Sequence, residues 1–190
     1  MKQALNSSSK KGRGNIVLVG VAGVGKTTLG DIASRELGMR FVDVDMAFEA
    51  AEHADIDTLL GRYGQEGFDN KLLGFFHKVI IGSSDTILAA PARLTHFRPF
   101  WTVIRTNGFS IHLRGKPSEI YKRQEVWVDE RRLTDAEKEE DCWKKDFADY
   151  HRWRVRHCGK ADYTVRIVGD REIDAGELCK IILRVVYCEE

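Results

Sequence analysis

The sequence predicts one α/β domain in which helices cover both faces of a parallel β-sheet. Short apolar runs rich in β-branched residues alternate with segments of helical periodicity, and the first run, NIVLVG, leads into a glycine-rich turn and a helix. Strands that alternate with helices along a chain form parallel sheets through right-handed crossovers. A length of 190 residues, 43% of them hydrophobic, suits one domain with a full core.

Five strands are predicted, each a short apolar run typical of a buried parallel strand. They are NIVLVG from Asn15, RFVDVD from Arg40, TILAA from Thr86, GFSIHL over Gly108–Leu113 and YTVRIV over Tyr163–Val168. The carboxyl ends of such strands meet at one edge of the sheet, which is where ligands bind in open α/β folds.

Helices are predicted where apolar residues recur at spacings of three and four. This spacing gives Lys26–Leu37, Ala47–Lys78 with breaks near Gly61, Gly64 and Gly67, and Asp174–Val186. Thr134 and Glu137 have the spacing of a capping box, which predicts the start of a further helix that continues toward His151.

The composition gives no sign of a nucleic-acid or membrane partner. Its net charge of +1 gives no bulk attraction to nucleic acid or to an anionic membrane, and no apolar run approaches the roughly 20 residues that span a bilayer. Residues 1–14 lack the apolar stretch of a secretory signal and predict a flexible arm before a single domain over 15–190. The four cysteines form no CxxC pair, which favours reduced thiols. We expect a cytoplasmic protein, a monomer or weak homodimer, with neither nucleic acid nor a membrane as partner.

A phosphate-binding loop is predicted between the first strand and the first helix. Gly20–Thr27 reads GVAGVGKT and matches G-x-x-x-x-G-K-[ST] at every fixed position. Its glycines let backbone N–H groups turn inward at the positive end of a helix, which makes a site for anions. The residues expected to hold the nucleotide are Ala22, Gly23, Val24, Gly25, Lys26, Thr27 and Thr28. Lys26 would reach the β- and γ-phosphates, and the Thr27 hydroxyl would bind Mg²⁺.

ATP is the predicted nucleotide. A GTPase would carry an N-K-x-D tetrapeptide that reads guanine, and the partial match NKLL, which starts at Asn70, lacks the aspartate. A motor ATPase would place an acid after a long apolar strand, whereas TILAAP ends without one. The chain is also small for mechanical work.

Two acidic residues, Asp43 and Asp45, end the second predicted strand. Alternation along a strand places both on the same side, at the edge of the sheet where the phosphate loop lies. Two carboxylates beside a nucleotide can divide the work, since one can orient Mg²⁺ through water while the other accepts a proton from a hydroxyl acceptor. The alternative is that both are solvated loop acids, one of them a helix N-cap.

The order of these motifs resembles shikimate kinase, in the nucleoside-monophosphate-kinase-like group. The resemblance rests on G-x-x-G-x-G-K-T-T, a helix that ends in LG, F-V-D-x-D, and the segments IDTLLGRYGQEGFDNKLL, GFSIHLRGKPSEIYKR and ADYTV. It implies a three-layer P-loop kinase fold with a five-stranded parallel sheet of order 2-3-1-4-5, and a lid at about residues 122–140 that closes over ATP. It also implies transfer of the γ-phosphate to a hydroxyl of the acceptor, which is shikimate in that family.

The resemblance also assigns roles by position. Asp43 would join Thr27 in holding Mg²⁺, and Asp45 would contact the acceptor hydroxyl as the base. Arg123, at the end of IYKR, would contact the nucleotide. The lid segment ERRLTD only approximates the family's R-P-L-L, and there Arg132 or its neighbour Arg131 would stabilise the transferring phosphate.

The residues on the acceptor side depart from the family pattern. Where the family has an arginine that pairs with the shikimate carboxylate, GQEGFDN has Asp69, which favours a cationic or hydroxyl-rich group on the acceptor. Where the family has a glycine triplet, ILAAPAR has methyl groups and Pro91, which narrow the approach. At a second family arginine the spacing places Trp153, and a shifted register of that helix would supply Arg154 instead.

Three functions stay open at this point. The first is an ATP·Mg²⁺-dependent kinase that phosphorylates a hydroxyl of shikimate or of another small metabolite. The second is a regulatory domain that binds nucleotide or metabolite and has lost catalysis, which the altered acceptor side supports. The third is a nucleoside monophosphate kinase, for which a base-reading motif is missing. Arg93, His96 and Arg98, just after the third strand, form either an alternative anion pocket or a solvated face.

Overall fold

The predicted strands form one parallel sheet in the computed structural model, which describes residues 14–130, 149 and 151–187, and the side chains of 14–123, 149 and 151–186. The strands are β1 (Asn15–Val19), β2 (Arg40–Asp43), β3 (Thr86–Ala89), β4 (Gly108–Arg114) and β5 (Tyr163–Arg166). Their order is β2-β3-β1-β4-β5, and all four pairings are parallel. The strand order implied by the resemblance is therefore confirmed.

Helices cover both faces of this sheet. They are α1 (Lys26–Leu37), α2 (Val44–Glu52), α3 (Ile56–Ile81), α4 (Arg98–Asn107), α5 (Pro117–Glu130), α6 over 151–158 and α7 (Arg171–Tyr187), with a 3-10 helix at Ala92–His96. The predicted bounds of α1 are confirmed, and Gly38 ends that helix in the left-handed conformation. Of the helices described here, none combines the length and the apolar content needed to cross a membrane.

The second strand ends earlier than predicted. β2 stops at Asp43, and Asp45 lies in the first turn of α2 instead of on the strand. The reason is a helix cap, because Oδ1 of Asp43 accepts hydrogen bonds from the backbone N–H groups of Asp45 (3.1 Å) and Met46 (3.2 Å). The strand alternation expected for the two acids therefore does not apply.

The long helix predicted over Ala47–Lys78 is two helices. α2 ends at His53, which has a left-handed φ of 52°, and Asp55 caps α3 by accepting a hydrogen bond from the N–H of Thr58 (2.7 Å). Within α3 the predicted break is confirmed at Gly64, whose φ of 65° and ψ of 173° are not helical. A glycine tolerates this conformation at little cost, so α3 can bend without ending.

The core has two layers, one on each face of the sheet, and successive residues of β1 face the two layers in turn. Ile16 and Leu18 face α1 and α7, where Leu178 and Ile182 are fully buried. Val17 and Val19 face the layer built by α2, α3 and α4, which is rich in buried aromatic rings such as those of Phe76 and Phe100. Two apolar faces on the central strand explain its unbroken apolar sequence.

A buried asparagine fixes the start of β1. Nδ2 of Asn15 donates to the carbonyl oxygens of Ile80 (2.9 Å), Ser83 (3.0 Å) and Asn107 (3.3 Å), so it joins β1 to the ends of α3 and α4. On the neighbouring strand β4, Gly108 pairs with Asn15, and a Cβ there would lie 2.2 Å from the carbonyl oxygen of Asn15. The amino edge of the sheet is thus closely packed around this residue.

Several predicted features lie outside the described residues. These are residues 1–13 of the arm, the capping box at Thr134 and Glu137, and Arg132 with residues 131–140 of the expected lid. The division into a short arm and one domain over 15–190 stays a prediction.

Asn15→Ala should lower the free energy of unfolding by about 2–3 kcal/mol, because it leaves buried carbonyl groups without their donor. Chemical denaturation monitored by circular dichroism measures this change. Asn107→Ala is the matched control, since among the described residues its Nδ2 donates to one carbonyl, that of Val103 within α4 (2.8 Å), and it should cost less than about 1 kcal/mol. Equal losses for the two variants would contradict the role given to Asn15.

Candidate active site

The phosphate loop, Gly20–Thr27, connects β1 to α1 at the carboxyl edge of the sheet. Gly23 and Gly25 adopt left-handed conformations with φ of 75° and 107°, which orient the intervening backbone toward the start of α1. Gly25 is the N-cap of α1 and brings no side-chain cap, so the first N–H groups of the helix can bind an anion. This is the geometry that phosphate binding requires.

Lys26 lies over the loop from which it starts. Its Nζ donates to the carbonyl oxygens of Gly20 (3.1 Å) and Val21 (3.2 Å). Burial lowers the pKa of Lys26, and the negative charge of Asp45 is the largest effect that opposes this shift. The ammonium group and the Asp45 carboxyl are therefore close enough to stabilise each other's charged forms.

Thr27 and Asp43 form a pair of oxygen ligands next to Lys26. The Thr27 hydroxyl donates to Oδ2 of Asp43 at 2.6 Å, while Oδ1 of the same carboxylate caps α2. A hydroxyl and a carboxylate in contact at the mouth of a phosphate loop are the hard oxygen donors that Mg²⁺ binds. The residues present thus fit a magnesium ion.

Asp45 has an altered acidity. Burial raises the pKa of its carboxyl to about 6, the Asp43 charge adds to the rise, and Lys26 and Arg93 oppose it. A carboxylate with a pKa near the working pH is suited to accept and return a proton. Asp45 is therefore placed beside Lys26 by the first turn of α2, and not by a strand.

A cleft of about 470 Å³ extends from the loop to the segment between β5 and α7. Its lining comprises Gly23, Val24, Gly25, Lys26, Thr27, Thr28, Leu29, Arg123, Ile167, Gly169, Arg171 and Asp174. The predicted nucleotide contacts from Gly23 to Thr28, and Arg123, thus lie on one surface, and Ala22 precedes them in the loop. Arg123 extends toward the phosphate loop, and its Nη1 donates to the carbonyl oxygen of Gly23 at 3.4 Å.

The far wall of the cleft was missed by the sequence analysis. Asp174 is buried and accepts hydrogen bonds from the N–H groups of Val168 (2.8 Å) and Gly169 (3.0 Å), which fixes the loop between β5 and α7. The available signal was VGDRE, a short polar segment directly after the last strand, at the edge of the sheet where ligands bind.

Asp69 is buried in an ion pair. Its Oδ1 accepts from Nε of Arg93 at 2.6 Å, and the Arg93 guanidinium lies 4.6 Å from the ring centre of Phe68. The side chains of Asp69 and Arg93 are 7% and 21% exposed. The negative charge expected to attract a cationic group is therefore already balanced by Arg93.

Arg154, and not Trp153, faces the interior of the protein. The Arg154 side chain is buried and its Nη1 donates to the carbonyl oxygen of Ala92 at 2.8 Å, whereas Trp153 is 42% exposed. The positive charge of Arg154 also contributes to the lowered pKa of Lys26, after burial. The shifted register considered for this helix places a guanidinium on the side of the phosphate loop.

The family model and the curated relatives that match this chain are shikimate kinases. The family model described as shikimate kinase matches residues 22–170. A shikimate kinase from Thiobacillus denitrificans is 30% identical over 117 residues, which cover 58% of this chain and 60% of that protein. The chain spans about 60% of the length of the curated relatives it matches.

Solved structures share the fold. The shikimate kinase from Bacteroides thetaiotaomicron superposes with a TM-score of 0.78 at 21% identity, covering 88% of this chain and 97% of the other. The shikimate kinase from Acinetobacter baumannii, solved in complex with shikimate, gives a TM-score of 0.76 at 22% identity, over 91% and 92% of the two chains. These structures confirm the predicted P-loop kinase fold. With most of its length matched by the family model, the chain belongs to the shikimate kinase family.

Proposed function

We propose that this protein is a small-molecule kinase that transfers the γ-phosphate of ATP to a hydroxyl group, with Mg²⁺ as cofactor. The observation that carries the proposal is that three groups lie close together at the phosphate loop. They are the Thr27–Asp43 pair for Mg²⁺, the Lys26 ammonium for the phosphates and the Asp45 carboxyl as the base. Family membership supports the same reaction class.

On the donor side, the chain binds phosphate groups and balances their charge. The N–H groups of the phosphate loop would hold the phosphate oxygens, and Lys26 would exchange its loop carbonyl partners for them. Thr27 and Asp43 would hold Mg²⁺, which supplies neutralisation of charge on the phosphates. Arg123 and the loop fixed by Asp174 would form the wall around the rest of the nucleotide.

On the acceptor side, Asp45 would take the proton of the attacking hydroxyl. The hydroxyl oxygen then forms a bond to the γ-phosphorus as the bond to the leaving ADP oxygen breaks. Burial raises the pKa of Asp45 to about 6, and the nearby Lys26 limits this rise, so most of the carboxyl is ionised at neutral pH and can accept a proton. Arg132 would stabilise the transferring group from the lid.

The acceptor is a small hydroxylated metabolite, with shikimate as the first candidate. Asp69, which stands where the family pattern has a carboxylate-binding arginine, also supports the regulatory alternative. A coupled assay for ADP release over hydroxylated metabolites, run beside calorimetric titration with ATP·Mg²⁺, separates the two. Nucleotide binding with no transfer to any acceptor would favour the regulatory domain, and absence of nucleotide binding would remove both.

Asp45→Asn should reduce kcat by about 100-fold or more and leave the Kd for ATP·Mg²⁺ nearly unchanged, because the amide cannot accept the proton. Steady-state kinetics and calorimetry measure the two quantities. Asp31→Asn is the matched control, since Asp31 pairs with Arg35 on α1, away from the site, and should leave both unchanged. Full turnover by Asp45→Asn would remove Asp45 from the mechanism.

The same substitution should stabilise the protein at pH 7.5. A carboxyl whose pKa rises from 3.8 to about 6 on folding favours the folded state below pH 3.8 and loses that contribution as the pH rises through 6. Asn stays neutral at both pH values. The free energy of unfolding of Asp45→Asn should therefore exceed that of the unsubstituted protein by up to about 3 kcal/mol at pH 7.5 and should equal it near pH 3.5. Unfolding curves at the two pH values test this, and a loss of stability at pH 7.5 would contradict it.

The rate of transfer should fall on the acid side with an apparent pKa of about 6. Below that pH Asp45 is protonated and cannot act as base, so log(kcat/KM) should rise with a slope near one and then level off. A pH profile between 4.5 and 8, with the coupling enzymes checked at each pH, measures it. A midpoint near 4, the ordinary value for aspartate, would show that Asp45 is not the titrating base.

A further inference from the structure

We propose that Arg93, oriented by Asp69, is the residue that binds the carboxylate of the acceptor in this chain, in place of the arginine of the family pattern. This rests on the proposed kinase function and adds the residue that selects its substrate. Neither residue has this role in the family pattern described above, where the cation comes from the position of Asp69 itself.

The first observation is the way in which Arg93 is held. It starts from the 3-10 helix that follows β3, at the carboxyl edge of the sheet, and Asp69 approaches it from α3. The 2.6 Å bond uses Nε, and the Phe68 ring supports the guanidinium plane at 4.6 Å. Among the residues described here, the two Nη groups of Arg93 donate no hydrogen bond. They form the edge of a guanidinium that can bind both oxygens of a carboxylate.

The second observation is the effect of the Arg93 charge on Asp45. Burial raises the pKa of Asp45, and Arg93 is one of the two cations, with Lys26, that act against this rise. The guanidinium therefore lies within electrostatic reach of the carboxyl that would take the hydroxyl proton. An acceptor anchored by Arg93 would have its hydroxyl on the side of Asp45.

The third observation is that the turn carrying Arg93 is braced from a second direction. Arg154 of α6 donates from Nη1 to the carbonyl oxygen of Ala92, the residue before Arg93, at 2.8 Å. The Thr95 hydroxyl donates to the same carbonyl at 2.8 Å. A side chain on a rigid support loses little entropy when it binds a ligand, which favours selectivity.

The charges of this region favour an anion over a cation or a neutral group. Asp69 is paired with Arg93, and Asp45 faces Lys26, so neither carboxylate offers an unbalanced negative charge to a cationic acceptor. A cationic acceptor would also meet the guanidinium edge of Arg93, which opposes its binding. A neutral polyol would leave the Nη edge of Arg93 without a charged partner.

The test compares acids with neutral derivatives that keep the same hydroxyl groups. Calorimetry measures the Kd of shikimate against methyl shikimate, and of gluconate against gluconamide, in the presence of ADP·Mg²⁺ at pH 7.5. At least one acid should bind about 10- to 100-fold more tightly than its neutral partner. If no acid binds more tightly than its neutral partner, which includes no binding at all, the proposal is wrong.

Variants then assign the preference to Arg93. Arg93→Gln should bring the acid and its neutral derivative to within about threefold of each other. Arg105→Gln, a change at an exposed arginine in the last turn of α4, should keep the full preference. Because Arg93→Gln leaves Asp69 buried without a partner, the double variant Arg93→Gln/Asp69→Asn is measured as well. A preference that survives in the double variant would overturn the role of Arg93.

Asp69 is a positioning residue in this scheme. Asp69→Asn should raise the KM for the acid about 10-fold and leave kcat within about twofold, because Arg93 keeps its charge and loses its fixed direction. A fall in kcat without a change in KM would contradict that role.

The outcomes separate this proposal from the proposed function. Phosphoryl transfer without any preference for acids would reject the role of Arg93 and leave the kinase function standing. A preference for acids that Arg93→Gln abolishes, with no transfer to any of them, would support the role of Arg93 and reject the kinase function.

Discussion

The carboxylate of Asp43 joins the fold of this protein to its chemistry. One of its oxygens caps α2 through the N–H groups of Asp45 and Met46, and the other accepts the hydroxyl of Thr27 at the start of α1. The same group therefore ends β2, begins the next helix and fixes the distance between two helix starts. Because Asp45 lies in the turn that Asp43 caps, the position of the proposed base depends on a local backbone motif as much as on tertiary packing.

The donor half of the site could be predicted from the sequence because its signals are local. A strand, a glycine-rich turn and a helix follow one another without interruption, so Gly20–Thr27 identifies both the loop and its position at the sheet edge. The strand order could not come from local signals, since it depends on which strands pair, and it came from the resemblance. The end of β2 was misplaced because an aspartate N-cap and a strand residue look alike in a short apolar run.

The acceptor half could not be predicted in the same way. The pairing of Asp69 with Arg93 joins residues 24 positions apart on two elements, and nothing in either segment alone indicates it. Taken alone, Asp69 on α3 suggests a negatively charged pocket. Together with Arg93 it forms a neutral ion pair that presents the edge of a guanidinium group. The direction of Arg154 raised the same difficulty, because a helix register that differs by one residue exchanges an exposed tryptophan for a buried arginine.

The hydrogen bonds of Asn15 have a consequence for how this protein can vary. They hold the amino edge of the sheet, some 5 residues of β1 away from the phosphate loop at the opposite edge. The residues that maintain the architecture and those that meet ligands are therefore separated along the same central strand. Substitutions on the 3-10 helix and α3 can therefore change the substrate preference while the hydrogen bonds at the amino edge of the sheet keep the fold stable. New specificities can then arise in this fold without an equal loss of stability.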